Sequence, residues 1–280
     1  MLKNKPDIKK ILPPRRPQTH KGDYGRVFVL AGSEGMQGAA VLCCRGALRT
    51  GAGLVYLGTE TRAIDLITFT TPEVISVNAN FLWDFADRAE KMDVIAVGPG
   101  LGNRKNLGRA LLKRLSRNHF KGVVILDADG LNAFENDVAT LGRLGLNLIA
   151  TPHPGEMARL AKQSVETVQK DRTRSAVEAA RKWHCLVVLK GHKTVIADRE
   201  GNKYINNSGN PGMATAATGD VLTGMIAGLA AQGKTAWEAA TVGVYLHGLA
   251  GDLAAREKGE QSLIASDLVE QIPYAIQKAR

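Results

Sequence analysis

Nowhere do the 280 residues run apolar for the roughly 20 positions that a membrane-spanning helix needs, which excludes an integral helical membrane protein. The opening, MLKNKPDIKKILPPRRPQTHKGD, also lacks the continuous apolar core of a secretory signal, so a cytoplasmic protein is expected. There are only three cysteines, Cys43, Cys44 and Cys185. Their spacing matches neither a metal site nor a disulfide framework, and an odd count suits a reducing compartment. Aromatic residues are scarce, and none is interleaved with the basic residues before Tyr24, so the stacking platform of a single-strand nucleic-acid binder is missing. No G-x-G-x-x-G follows the first apolar run; GSEGMQGAA has the wrong spacing, which argues against a hydride-transferring dehydrogenase. Repeats, low-complexity tracts and flexible linkers are absent too, so one domain is the simpler organisation.

What the chain does have is a 44% hydrophobic content, enough for a sizeable core, and a net charge of +10. Such a charge suits nucleic acid, a membrane surface or small anions such as nucleotides, and does not choose among them. Part of it lies in Lys3, Lys5, Lys9, Lys10, Arg15, Arg16 and Lys21, which are read as a solvated basic leader over residues 1–21, ahead of a single domain over 22–280.

From Arg26 onward, short apolar runs ending in glycine or a polar residue alternate with helical segments. This rhythm predicts an α/β fold, a mainly parallel sheet flanked by helices on both faces. RVFVLAG, GLVYLG, MDVIAVGPG, GVVILDADG, LNLIATPHPGE and CLVVLKG read as buried strands. GMQGAAVLCCRGALRTG, RKNLGRALLKRLSR and SVETVQKDRTRSAVEAARKWH read as helices, and so does most of the chain after Gly219. KTVIADREGNKYIN, two β-prone runs about a turn at Arg199 to Gly201, predicts an antiparallel edge hairpin. In such sheets ligands sit beyond the carboxyl ends of the strands, and GPGLG, DADGLNA, TPHPGE and KGHKT all fall there.

NPGMATAATGDVLTG, residues 210–224, is nearly free of bulky side chains until Asp220. Its small residues let backbone N–H groups approach a phosphate, and a helix starting near Gly219 would add its positive end. Asp220 would then sit beside the transferred phosphate as acceptor of a hydroxyl proton, kept ionised by the helix N-terminus. A second reading stays open: aspartate is common in first turns and simply caps helices. The other motifs likewise have plain structural readings as strand-end turns, helix starts or close packing, and His247 is read as a packed helix residue with no assigned role.

Taken together, NPGMATAATGDVLTG, GAAVLCCRGALRTGAGLV, GPGLG, DADGLNA, TPHPGEMARL and KGHKT, in that family's order, resemble the ADP- or ATP-dependent NAD(P)H-hydrate dehydratases of the ribokinase-like superfamily. The resemblance runs from about Gly22 to the C-terminus, with one departure, Ala217 where the family usually has glycine. It implies dehydration of the S epimer of NADHX or NADPHX: the C6 hydroxyl is phosphorylated by ADP or ATP with Mg²⁺, and loss of phosphate restores the ring. Asp220 would be the catalytic base. Ala40, Gly100, Gly102, His153 and Glu156 would meet the hydrate with it. Lys190, Gly191, His192, Lys193, Thr194, Asn210, Gly212, Thr218 and Gly219 would hold the nucleotide. No direct metal ligand is implied, and Mg²⁺ would be held through water near Glu156. The resemblance further implies a homotetramer and cooperation with a separate epimerase, since too little chain precedes the core for an epimerase domain. Two rivals remain: a ribokinase-like kinase releasing a stable phosphate ester, and a basic nucleic-acid binder. No recognisable nucleic-acid module and no membrane partner are read from the sequence.

Overall fold

Successive residues of a strand point to opposite faces, and here both faces are apolar. In β1 (Arg26–Leu30), Val27 and Val29 enter one core while Phe28 and Leu30 enter the other. A strand buried on both sides demands helices on both sides. The computed structural model, which describes residues 5–280, has that layering. Lys3 of the basic leader lies outside the described residues.

The remaining strands are β2 (Leu54–Thr59), β3 (Ile75–Asn78), β4 (Val94–Val97), β5 (Val123–Leu126), β6 (Asn147–Ala150), β7 (Leu186–Leu189), β8 (Val195–Ala197) and β9 (Lys203–Ile205). They form one sheet in the order β3-β2-β1-β4-β5-β6-β7-β8-β9. Pairing is parallel from β3 to β7 and antiparallel for β7-β8-β9, so the predicted edge hairpin is present. All six runs read as strands are strands. β3 gives no such signal: it has four residues, is exposed at both ends, and forms the opposite edge. The long helical candidate after Ser164 is two helices, Val165–Lys170 and Arg172–Trp183. Asp171 breaks it by leaving helical geometry and accepting the Arg174 N–H at 2.9 Å, a local side-chain bond that competes with helix propagation. Among the described residues no helix is long and apolar enough to cross a membrane.

Glycines bring two helices into backbone contact and so place the site. The helix Gln37–Arg49 packs on Thr218–Ala231; a methyl on Gly46 would lie 2.5 Å from the Val221 carbonyl oxygen, and one on Gly224 would lie 1.8 Å from that of Cys43. Small residues after Asp220 therefore serve helix packing as well as access to the loop before it. Within the stretch read as a leader, a single helical turn, Ile8–Ile11, buries Ile8, and Leu12 follows it into the core on this side of the sheet.

Candidate active site

At the ends of β5, β6 and β7 the chain delivers Asp127, Thr151 and Lys190, and the three meet. Asp127 is almost fully buried. Its Oδ1 accepts from Lys190 Nζ at 2.5 Å and from Thr151 Oγ1 at 2.9 Å, and its Oδ2 accepts from Thr223 Oγ1 at 2.8 Å. Thr223 lies in the helix Thr218–Ala231, so this carboxylate ties the sheet to the helix that carries Asp220. Lys190 also rests against the start of that helix: a methyl on Gly219 would come within 3.2 Å of Nζ. Burial pulls the Lys190 pKa down, but Asp127, Glu156 and Asp220 outweigh it and raise it overall.

Asp220 sits in the first helical turn, half-buried, and its carboxylate has no hydrogen-bond partner among the described residues. Here the sequence expectation needs correcting. The helix N-terminus does not keep Asp220 a weak base; burial, then the Asp127 charge, push its pKa up to about 7, although Lys190 opposes them. Glu156 and Asp129 add smaller contributions of the same sign as Asp127. The field of a helix end falls off within a turn and is outweighed by desolvation inside a carboxylate cluster.

TPHPGE forms the start of the helix Pro154–Ala161. The His153 backbone N–H donates to Glu156 Oε2 at 2.7 Å, and His153 Nδ1 accepts from the Gly155 N–H at 3.0 Å, a reciprocal cap. Glu156 is buried, which raises its pKa, with Lys190 opposing. Burial and then the Lys190 charge lower that of His153, which favours a neutral ring.

Beside this cluster opens a cleft of about 630 Å³, within the range of small-molecule sites. KGHKT and the loop Ser208–Gly219 line it, and of the residues assigned to the nucleotide only Gly212 is not on its wall. Lys193 is exposed and left-handed at φ +53°, and Thr194 is buried with its hydroxyl donating to Gly191 O at 3.0 Å. Ala217 is left-handed too, at φ +67°, and caps the helix. Beyond it, no backbone or side-chain acceptor among the described residues takes the N–H groups of Thr218 and Gly219, so they are free for an anion.

Two residues that sequence reading missed, Arg172 and Asp252, and one that it left without a role, His247, hold these loops. Arg172 donates to the carbonyls of His192, Leu189 and Lys190 at 2.8, 2.9 and 2.9 Å. Asp252 accepts from the Gly209 N–H and from Asn210 Nδ2, both at 3.1 Å. His247 lines the cleft, and its Nε2 lies 2.9 Å from the Thr218 carbonyl oxygen. Burial lowers its pKa to about 4, so the neutral ring donates there and steadies the helix start. None carries a local signal, because each acts on a segment at least 17 residues away.

Of the residues assigned to the hydrate, His153 lines this same cleft, whereas Ala40, Gly100, Gly102 and Glu156 are not on its wall. Gly102 N–H donates to Asp129 Oδ2 at 2.7 Å, and Asp129 is close enough to raise the Asp220 pKa. Gly100 is left-handed at φ +60°, and a methyl on it would lie 2.7 Å from the Met36 carbonyl oxygen. Ala40 is not brought to the cleft surface: it is fully buried, with its methyl toward Gly32. For a cation the setting is favourable, since three carboxyl groups, Asp127, Glu156 and Asp220, lie near enough to the one Lys190 ammonium to raise its pKa. Yet no group of three or more His, Cys, Asp or Glu among the described residues is placed to hold a metal ion directly. Oxygen donors in this number fit an ion that keeps most of its water, as Mg²⁺ does.

Comparison with known proteins gives a family model described as NAD(P)H-hydrate dehydratase, which matches residues 27–274. The chain is 42% identical over 275 residues to the bifunctional NAD(P)H-hydrate repair enzyme of Moorella thermoacetica, covering 95% of this chain and 52% of that one. It thus spans about half the length of the first such relatives. To the ADP-dependent (S)-NAD(P)H-hydrate dehydratase of Bacillus subtilis it is 36% identical over 269 residues, covering 95% of this chain and 94% of the relative. The Bacillus subtilis ADP/ATP-dependent enzyme co-crystallised with ATP/Mg²⁺ superposes with a TM-score of 0.84 at 34% identity, over 98% of this chain and 96% of that one. A ribokinase-like superfamily protein from Enterococcus faecalis gives a TM-score of 0.85 at 29% identity, with 98% and 94% covered.

Proposed function

The chain belongs to the NAD(P)H-hydrate dehydratase family, and on that premise we propose that it repairs the S hydrate of NADH or NADPH at the expense of ADP or ATP. One observation carries the reading: an unpartnered carboxylate, Asp220, with a pKa of about 7, stands at a helix start whose free N–H groups face a nucleotide-sized cleft. A base titrating near neutrality is both ionised and able to take a proton.

In this proposal the donor lies along KGHKT and the loop 208–219, with its terminal phosphate at the Thr218 and Gly219 N–H groups. The hydrate's C6 hydroxyl lies between that phosphate and Asp220. As the new O–P bond forms and the donor's terminal P–O bond breaks, the hydroxyl proton passes to Asp220. Phosphate then leaves C6, a proton is lost from C5, and the ring double bond returns. Lys190, held by Asp127, supplies positive charge beside the developing phosphate charge without being free to swing into the cleft. Mg²⁺, held through water by Glu156 and its neighbouring carboxylates, would supply further neutralisation of phosphate charge when bound.

The test is an assay of the purified S hydrate with ADP and with ATP, each with Mg²⁺, following reduced-nicotinamide absorbance and inorganic phosphate together. Equal recovery of both supports repair. A stable phosphate ester with neither signal would assign the site to a small-molecule kinase instead.

A further inference from the structure

A second cleft, of about 620 Å³, opens on the opposite rim of the sheet. Tyr24 precedes β1 and Gly51 precedes β2, so this cleft lies where the parallel strands begin, whereas the reaction centre lies where they end. Its lining carries the basic side chains of Arg15, Arg16, Arg49, Lys234 and Arg280 against one acidic side chain, Asp23. We infer that this cleft binds a small anion bearing several phosphates.

One wall is already built. The Arg15 guanidinium lies 3.6 Å from the Tyr24 ring centroid and donates to the Gly51 carbonyl at 2.8 Å. Gly51, at φ +108°, permits that approach, because a methyl there would come within 3.0 Å of Arg15 Nη2. Gln232 closes the floor by donating to Thr50 O at 2.9 Å and Gly228 O at 2.7 Å. The segment expected to be a solvated leader thus folds Arg15 against the domain.

The charge exceeds what the protein itself uses. Arg49 faces Glu270 at 3.4 Å, and Asp23 faces His20 at 3.4 Å. Arg15, Arg16, Lys234 and Arg280 have no ion-pair partner among the described residues. Three helices end near here, at Arg49, Ala231 and Ala279. Each helix end presents about half a negative charge, which offsets some of the cations but not four unpaired ones. Guanidinium groups match phosphate oxygens in geometry, and a wall fixed in advance lowers the cost of binding. With Arg15 covering a face of Tyr24, a phosphate chain rather than a stacked base is what the cleft is built to recognise.

That chain could be free inorganic polyphosphate or the tail of a nucleotide, and the experiment separates them. The isotopically labelled full chain is titrated with inorganic tripolyphosphate and, separately, with ATP, while backbone amide signals are followed. The catalytic cleft is read at Thr218 and Gly219, and the second cleft at Tyr24 and Gly51. With tripolyphosphate, saturable shifts are expected at Tyr24 and Gly51, weakening as sodium chloride rises. In the double variant Arg16→Gln with Lys234→Gln, affinity read at Gly51 should fall about tenfold or more while that at Gly219 holds. Arg16 is exposed and Lys234 half-buried, and neither has an ion-pair partner among the described residues, so folding and turnover should persist. Binding of ATP at Gly51 as well would identify a nucleotide tail as a natural source, and tripolyphosphate binding alone would point to free polyphosphate. Absence of a saturable shift at Gly51, an unchanged affinity in the double variant, or binding of ATP but not tripolyphosphate would overturn the inference.

Discussion

Lys190 Nζ lies 2.5 Å from Asp127 Oδ1, and Asp127 Oδ2 accepts from Thr223 Oγ1 at 2.8 Å, so one buried pair joins the ends of β5 and β7 to the helix that carries Asp220. Lys190 is the cation that restrains the Asp220 pKa. Lys190→Met should therefore raise that pKa further, moving the ascending limb of the kcat/KM profile to higher pH. Stability should fall by about 3–5 kcal/mol, because Asp127 is left buried without its counter-ion. A profile unmoved in a folded variant would show that Lys190 does not set the base.

For the wild-type chain, kcat/KM should rise with pH through about 7, the value for Asp220, since only the ionised carboxylate accepts a proton. Asp220→Asn should lose that limb and at least about 10²-fold in turnover, with ligand affinities changed much less. Rate profiles of both proteins decide it. Near-normal turnover would reduce Asp220 to a cap.

Stability should move the other way. A carboxyl whose folded pKa is raised binds its proton more tightly in the folded state, so it costs stability as pH rises from its unfolded value near 3.8 through about 7. Asp220→Asn removes that cost. The variant should match the wild type near pH 4 and exceed it at pH 8 by on the order of 1–3 kcal/mol, measured by denaturant titration at both pH values.

The sequence made the sheet legible because β1 and β4 to β7 are apolar on both faces, and it made the rim legible because the motifs end those strands. β3 stayed hidden because an exposed edge strand of four residues has no periodicity to detect. Asp220 was singled out by its position, but its ionisation was misjudged, because its main perturbers come from elsewhere: burial by the assembled fold and Asp127 from the end of β5. Arg172 and Asp252 were missed for the same reason: they act across the fold on backbone atoms, which leave no mark in sequence.

Arg172 holds KGHKT through two of its carbonyls and the end of β7 through the Leu189 carbonyl, a planar fork that lysine cannot reproduce. Arg172→Lys should raise the nucleotide KM while leaving kcat and the pKa of the ascending limb nearly unchanged. It should also cost about 1–3 kcal/mol of stability, from buried acceptors left without donors. Steady-state kinetics against nucleotide at fixed hydrate test this; a drop confined to kcat would mean that the loop does not position the donor.

Ala217, read from the sequence as standing in place of a family glycine, has a φ of +67°, a conformation that favours glycine. In the left-handed region a Cβ costs roughly 1–2 kcal/mol, which glycine does not incur. Glycine loses about 0.4–1 kcal/mol of this again through the greater freedom it gives the unfolded chain. Ala217→Gly should therefore stabilise the protein by about 0.5–1 kcal/mol, a rise in Tm of about 1–3 °C. The bond from Asp220 N–H to Ala217 O at 3.1 Å uses only backbone, so the helix start and turnover should survive. Ala217→Val is the opposing control: a β-branched residue is a true outlier at positive φ and should lower Tm. Thermal unfolding of the three proteins gives the order Gly above Ala above Val. If glycine instead lowers stability, the loop holds Ala217 by contacts of its methyl group that outweigh the backbone cost, and the departure from glycine is a local adaptation rather than a tolerated strain.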